Sequence, residues 1–289
     1  MRLRLKYYKP NWVAIQETIS EDLSYDAQNN AWLNECKKWL NQLSNELGDD
    51  YAIIESENFF ILSSEDDKYN QHFLKFLERS LKKILVTLEG IASDEGYSKH
   101  VVLILADQET YYDYTFMFYP EDAKVGLSSG VYINDGYGHF IFPHQEIYFN
   151  EPTAAHELTH ACLVHLPIPT WLNEGLAVSM EGAVLGQDYF IIDKEIIDKH
   201  QQYWTEESIQ KFWKGESFSS TDAGQELSYH LAQLLVRNIS QDYEQFVHFC
   251  KSAHSDDGGK TAAQEVLGIS LGDLLTGLLG DGNWSPTYA

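Results

Sequence analysis

The stretch "HELTH", His156 to His160, sets two imidazoles four residues apart, and a glutamate follows in "PTWLNEGLA" at Glu174. On a helix, side chains so spaced project from one face with Cβ atoms about 5–6 Å apart, close enough to share one divalent ion. A catalytic zinc needs a third protein ligand and an open position, so another ligand must come from downstream. His165 lies about 140° round the helix from His160 and points elsewhere. The layout that ends in a third histidine requires glycine and histidine where this chain has Leu163 and Leu166. Pro167 and Pro169 end the helix, Thr170 is a natural N-cap, and the spacing predicts a second helix from Trp171. Glu174 then falls in the first turn of a returning helix, where Gly175 and Ala177 let the two helices approach closely. The expected site is Zn²⁺ on His156, His160 and Glu174, with Glu157 as the base that takes a proton from zinc-bound water. Two imidazoles with one carboxylate and an open position suit zinc best among divalent ions.

Such a hairpin needs a scaffold. Apolar residues recur at helical spacing at Trp32, Cys36, Trp39, Leu40, Leu43 and Leu47, and again at Phe73, Leu77, Leu81, Ile84 and Leu88. The runs "NFFILSS" (Asn58–Ser64) and "HVVLILA" (His100–Ala106) have strand length and β-favouring residues. The aromatic stretch from Tyr111 to Phe149 carries Gly-rich interruptions at "SSG" and "NDGYGHF", which predict a strand pair at Val131–Asn134 and His139–Phe142. After Asn150 helices dominate: Pro152 to about Leu166, Trp171 to about Gly182, Lys194–Trp204, Glu206–Trp213, Ala223–Ile239, Tyr243–Ala253 and two short ones. "SDDGGK" reads as a loop and "DGNWSPTYA" as a loosely held tail. The predicted organisation is α+β. Residues 1–150 form an α/β lobe with a mixed sheet, residues 151–289 a mainly helical lobe, and the two make one continuous catalytic unit.

With 20 basic and 44 acidic residues, a net charge of -24, the chain repels phosphate backbones and anionic lipid, so neither nucleic acid nor membrane is an expected partner. Cys36, Cys162 and Cys250 are odd in number and widely spaced with no C-x-x-C pair, so a disulfide framework is not indicated, and Cys162 reads as a small buried thiol. The start has no apolar core of signal-peptide type, and eighteen apolar residues never run together. The expected location is the cytoplasm, with export by a signal-independent route as the alternative.

These residues resemble the gluzincin metallopeptidases, whose zinc is held by two histidines and a glutamate. "WLNEGLA", Trp171–Ala177, is similar to the W-L-N-E-G-F-A stretch around the third ligand of the zinc aminopeptidases, and the thirteen residues between His160 and Glu174 make the spacing more similar to compact peptidase-MA-like proteins. The likeness runs over roughly Glu151 to Gly182. It implies a zincin-like two-lobe fold in which an edge strand receives an extended peptide. "GVYIND" would be that strand, with Gly130, Val131 and Tyr132 binding substrate. Ile133 stands where the aminopeptidases carry the glutamate that holds a free amino group, which argues against aminopeptidase action. Val178 replaces an aspartate of the thermolysin-like branch and leaves Glu181 to steady a histidine. The resemblance also implies a tyrosine or histidine that stabilises the oxyanion, on a helix similar to "QELSYHLAQLLV". Tyr229 lies off the apolar face of Leu227, Leu231, Leu234 and Leu235, and His230 is its rival.

The expected activity is zinc-dependent hydrolysis of peptide bonds in a peptide or unfolded protein segment. A catalytically silent zincin-like module that grips a protein partner, and a zinc hydrolase of a non-peptide amide, are the alternatives. These residues leave endo- versus exopeptidase action and oligomeric state open.

Overall fold

The computed structural model describes residues 6–19, 21–119, 129–188 and 190–287. Met1 to Leu5, Ser128 of the "SSG" interruption and the last two residues of the tail lie outside the described residues. The chain divides into two compact units, residues 1–82 with 94–161 and residues 83–93 with 162–289.

The first unit contains α1 (Trp12–Thr18), α2 (Tyr25–Leu47), β1 (Ala52–Glu55), β2 (Phe59–Ser63), most of α3 (Asp67–Thr87), β3 (His100–Leu105), α4 (Gln108–Thr115), β4 (Val131–Ile133), β5 (His139–Pro143) and most of α5 (Ile147–Leu163). The five strands form one mixed sheet in the order β1-β2-β3-β5-β4. β2, β3 and β5 run parallel in the centre, while β1 and β4 pair antiparallel at the two edges. The architecture is therefore α+β.

Central parallel strands must be covered on both faces, which is why β2, β3 and β5 read as nearly unbroken apolar runs. Phe60, Leu62, Val101, Leu103, Leu105 and Ile141 share one core with Trp12 of α1 and with Trp39, Leu40 and Leu43 of α2. Phe142 points the other way and meets Phe73 of α3 edge-on, with ring centroids 5.8 Å apart. β1, which the sequence reading passes over, has exposed ends and only four residues, too few to show an alternating pattern. Gly130 opens β4, and a Cβ there would lie 2.5 Å from the Phe142 ring and 3.0 Å from the methyl of Thr153 on α5. Glycine lets the edge strand start against that helix.

The second unit is helical: α6 (Thr170–Leu185), α7 (Lys194–Tyr203), α8 (Ile209–Trp213), α9 (Gly224–Ile239), α10 (Tyr243–Ser252), α11 (Lys260–Ala262) and α12 (Leu271–Leu279). α6 packs on α9 through Gly175, whose added Cβ would lie 2.6 Å from the carbonyl oxygen of Ala232 and 2.7 Å from Val236. The expectation that Gly175 brings α6 against the HELTH helix is thus corrected. One residue past Glu174 is about 100° round the helix, and that direction faces α9. The carboxy-terminal tail is not loosely held over its described residues. Trp284 is buried, its carbonyl accepts from the Trp213 indole at 2.7 Å, and the amides of Asn283 and Thr287 donate to Glu206 and Gln210.

Among the described residues no single helix is long and apolar enough to cross a membrane. A Gly→Ala change in an exposed helix interior gains about 1 kcal/mol. Gly175→Ala should instead lower stability by about 1–3 kcal/mol, because the methyl meets backbone that cannot swing aside. The urea unfolding midpoint measures this, and an unchanged or raised midpoint would contradict the close α6–α9 contact.

Candidate metal centre

Helix α5 starts at Ile147, well before the Pro152 expected from sequence. Pro152 sits inside the helix, where it removes the amide bond to the carbonyl of Tyr148 and crowds that carbonyl, and the cost falls on an exposed first turn. Ala154, Ala155, Leu158, Ala161 and Cys162 bury the core side of α5, while Thr153, His156, Glu157 and His160 line a half-buried stripe. The helix ends at Leu163, whose carbonyl accepts from the Leu166 amide at 2.9 Å. Pro169, extended at φ -65° and ψ 150°, flanks the next helix in place of the expected Thr170. Its carbonyl accepts the amides of Leu172 and Asn173 at 3.0 and 3.1 Å, so α6 begins one residue early without a side-chain cap.

This hairpin brings together His156, His160 and Glu174. One potential ligand atom from each lies within 4.8 Å of the others, and all three side chains are half-buried. The two imidazoles stand edge to face with centroids 4.6 Å apart. Ligands about 2.0–2.2 Å from a tetrahedral ion sit somewhat over 3 Å from one another, so modest side-chain rotation closes the group onto a metal. The donor set fits: two imidazoles and a carboxylate match the ligands zinc takes. His165 lies beyond the end of α5, exposed and outside the group.

Glu157, beside the first histidine, accepts a hydrogen bond on Oε2 from the Tyr132 amide at 2.8 Å. The residue expected to act as base and the strand expected to bind substrate are thus physically joined. Val131 and Tyr132 are half-buried, Gly130 is buried, and β4 lies at a sheet edge among the described residues. Ile133 is buried in the core of the first unit. Tyr119 is a residue the sequence reading left unassigned. Burial, and then the negative charge of Glu157, push its phenol above the ordinary range. Its only sequence signal was the aromatic density of residues 111–149.

Tyr229 and His230 sit side by side on α9 in the second unit, and the structure separates them. The Trp204 indole donates to His200 Nδ1 at 3.0 Å, so the His200 proton sits on Nε2 and points to His230 Nδ1 at 2.8 Å. His230 must then carry its proton on Nε2, which meets the carbonyl of Ile191 at 2.9 Å. Both ring nitrogens of His230 are engaged, which removes it as a rival oxyanion donor. Tyr229 is half-buried with its ring edge-on to Phe218 at 5.2 Å. Glu181 lies two turns beyond Glu174 on α6 and is half-buried. All three cysteines are buried and unbridged, as expected for Cys162.

No protein-family model matches this chain, and no curated protein does.

One zinc per chain should bind the protein, and Glu174→Ala or His160→Ala should weaken binding by at least about tenfold, read by competition with a chromogenic chelator. Unaltered affinity in both variants would place the ion elsewhere. The histidine relay gives a pH test. Burial holds His200 down at about 4, and burial lowers His230 against the opposing pull of the Ile191 carbonyl and Glu226. Both folded values lie below the unfolded value of about 6.5. The relay's contribution is therefore complete above that pH and is lost as pH falls toward 4. The urea midpoint should drop between pH 7 and 5, and drop less in His200→Gln. Equal slopes in the two proteins would rule the relay out as the cause.

Proposed function

We propose that the protein is a zincin-like, single-zinc metallopeptidase of gluzincin type that cleaves peptides or unfolded protein segments. The observation that carries this reading is the convergence of His156, His160 and Glu174, with the Glu157 carboxylate beside them tied to the edge strand by the Tyr132 amide. His156, His160 and Glu174 would hold Zn²⁺, which when bound supplies Lewis acidity and makes water a nucleophile near neutral pH. Glu157 would take the proton from the attacking water and pass it to the leaving amine. The Tyr132 amide holds one oxygen of that carboxylate and so restrains its rotamer, which would help to position the base. Tyr229 would assist the developing oxyanion through its phenol.

β4 would receive the substrate as an added strand, with Gly130, Val131 and Tyr132 supplying main-chain contacts. Ile133 sits in the core and offers no carboxylate to anchor a free amino group, which favours cleavage at internal bonds. The three unbridged cysteines fit a reducing compartment, and we assign the protein's work to the cytoplasm.

Glu157→Gln tests the mechanism most directly. The amide side chain keeps an oxygen to accept from Tyr132 but cannot take a proton. Hydrolysis of a degenerate peptide library, read by mass spectrometry, should fall by about 10²–10⁴-fold, with zinc still bound at one per chain. Full turnover in the variant would remove Glu157 as the base. A zinc-loaded wild type that cuts nothing would remove the peptidase reading itself.

A further inference from the structure

Two large aromatic side chains stand in solvent at the start of α5. Tyr148 is 59% exposed and Phe149 55%, and their rings lie against each other with centroids 4.3 Å apart. Neither belongs to the apolar core. Paired aromatics left in water cost free energy unless a ligand covers them, and such patches mark binding sites.

Their place on the helix says what that ligand is. Phe149 is seven residues before His156, so it lies within about 20° of the same line along α5 and about 10 Å from it. It continues the stripe formed by Thr153, His156, Glu157 and His160. β4 keeps step with this stripe. The carbonyl of Ser129, just ahead of the strand, accepts from Gln145 at 3.3 Å, Gly130 abuts Thr153, and the Tyr132 amide reaches Glu157. The edge strand and the half-buried stripe thus run side by side from the aromatic end toward the histidines. An extended peptide following β4 advances about 3.3 Å per residue, so about three residues cover the distance from His156 to Phe149.

We propose that Tyr148 and Phe149 form a substrate subsite that takes an aromatic or large aliphatic side chain about three residues from the cleaved bond; this rests on the peptidase reading above. The subsite would be a determinant of specificity rather than part of the chemistry. Glu146 and Glu151 flank the pair in sequence, Glu151 in contact with His72, and the exposed Glu146 would disfavour an acidic residue at the same position.

The test uses alanine octapeptides carrying one phenylalanine stepped through each position, with an amino-terminal fluorophore. Two readouts are taken on the full chain: cleavage by the zinc-loaded wild type, and binding by fluorescence polarisation to zinc-loaded Glu157→Gln. Each is repeated with Tyr148→Ser and Phe149→Ser introduced together, whose exposure makes misfolding a minor concern and thermal melting checks it. The expected result is a preference of about tenfold for phenylalanine over alanine three positions from the cut, falling to less than about twofold in the double variant, with binding changing in parallel. Cleavage without that preference, or a preference that survives the double variant, would overturn the proposal. A wild type that binds but cuts nothing would sink the peptidase reading. In that case a phenylalanine-dependent gain in binding that the double variant loses would still support the subsite, and equal binding of all octapeptides would end it.

Discussion

The break between Leu163 and Thr170 decides where three side chains meet. Helix α5 can present His156 and His160 on one stripe by its own periodicity, but no third ligand follows on the same face. Pro167 and Pro169 cannot continue the helix, and α6, begun one residue early after the extended Pro169, carries Glu174 just past its first turn rather than in the first turn expected from sequence. Everything else in the candidate centre hangs on that break. It needs a firm support at each end, and the Trp171 indole, bonded to the carbonyl of Gly258 at 2.9 Å, and the Ser255 amide on the carbonyl of Pro167 at 2.8 Å provide it on the far side.

In the first unit the sheet provides the other half of the arrangement. A parallel centre must be covered on both faces, and the start of β4 reaches α5 only because Gly130 has no Cβ to strike Phe142 and Thr153. With the strand held there, the Tyr132 amide meets the Glu157 carboxylate at 2.8 Å. A charge-assisted bond of that kind orients a half-buried carboxylate that would otherwise sample several rotamers. The strand end and the helix stripe therefore constrain each other, and Phe149 at the start of α5 extends the same line.

In the second unit, directed polar contacts run through a cluster of aromatic side chains. Trp204, His200, His230 and the Ile191 carbonyl form a chain in which each proton has one place to go. Such a chain holds both imidazoles neutral, since a second proton on either ring would set two donors against each other. It also binds the segment before α7 to α9, with Phe190 stacked on His230 and Arg237 over Phe190 while pairing Asp188. The neighbouring Tyr229 takes no part in that chain and meets Phe218 edge-on instead.

Much of this was legible in the amino-acid sequence because it depends on residues close together in the chain. Helical period, proline breaks and strand-length apolar runs act over a few residues, so the metal-capable trio on its hairpin, the antiparallel β4–β5 pair and the buried Cys162 could all be read from local pattern. What failed was also local in its cause: β1 was too short and half-exposed to show a pattern, and helix starts shifted by a few residues where propensity and capping competed. Only the tertiary structure decided that Gly175 faces α9, that His230 is occupied by His200 and Ile191, that the Trp284 tail is anchored, and that Glu157 is bonded to the edge strand. Each of those joins groups far apart in sequence, and such pairings are chosen by which packed surfaces meet, a property that no single segment carries.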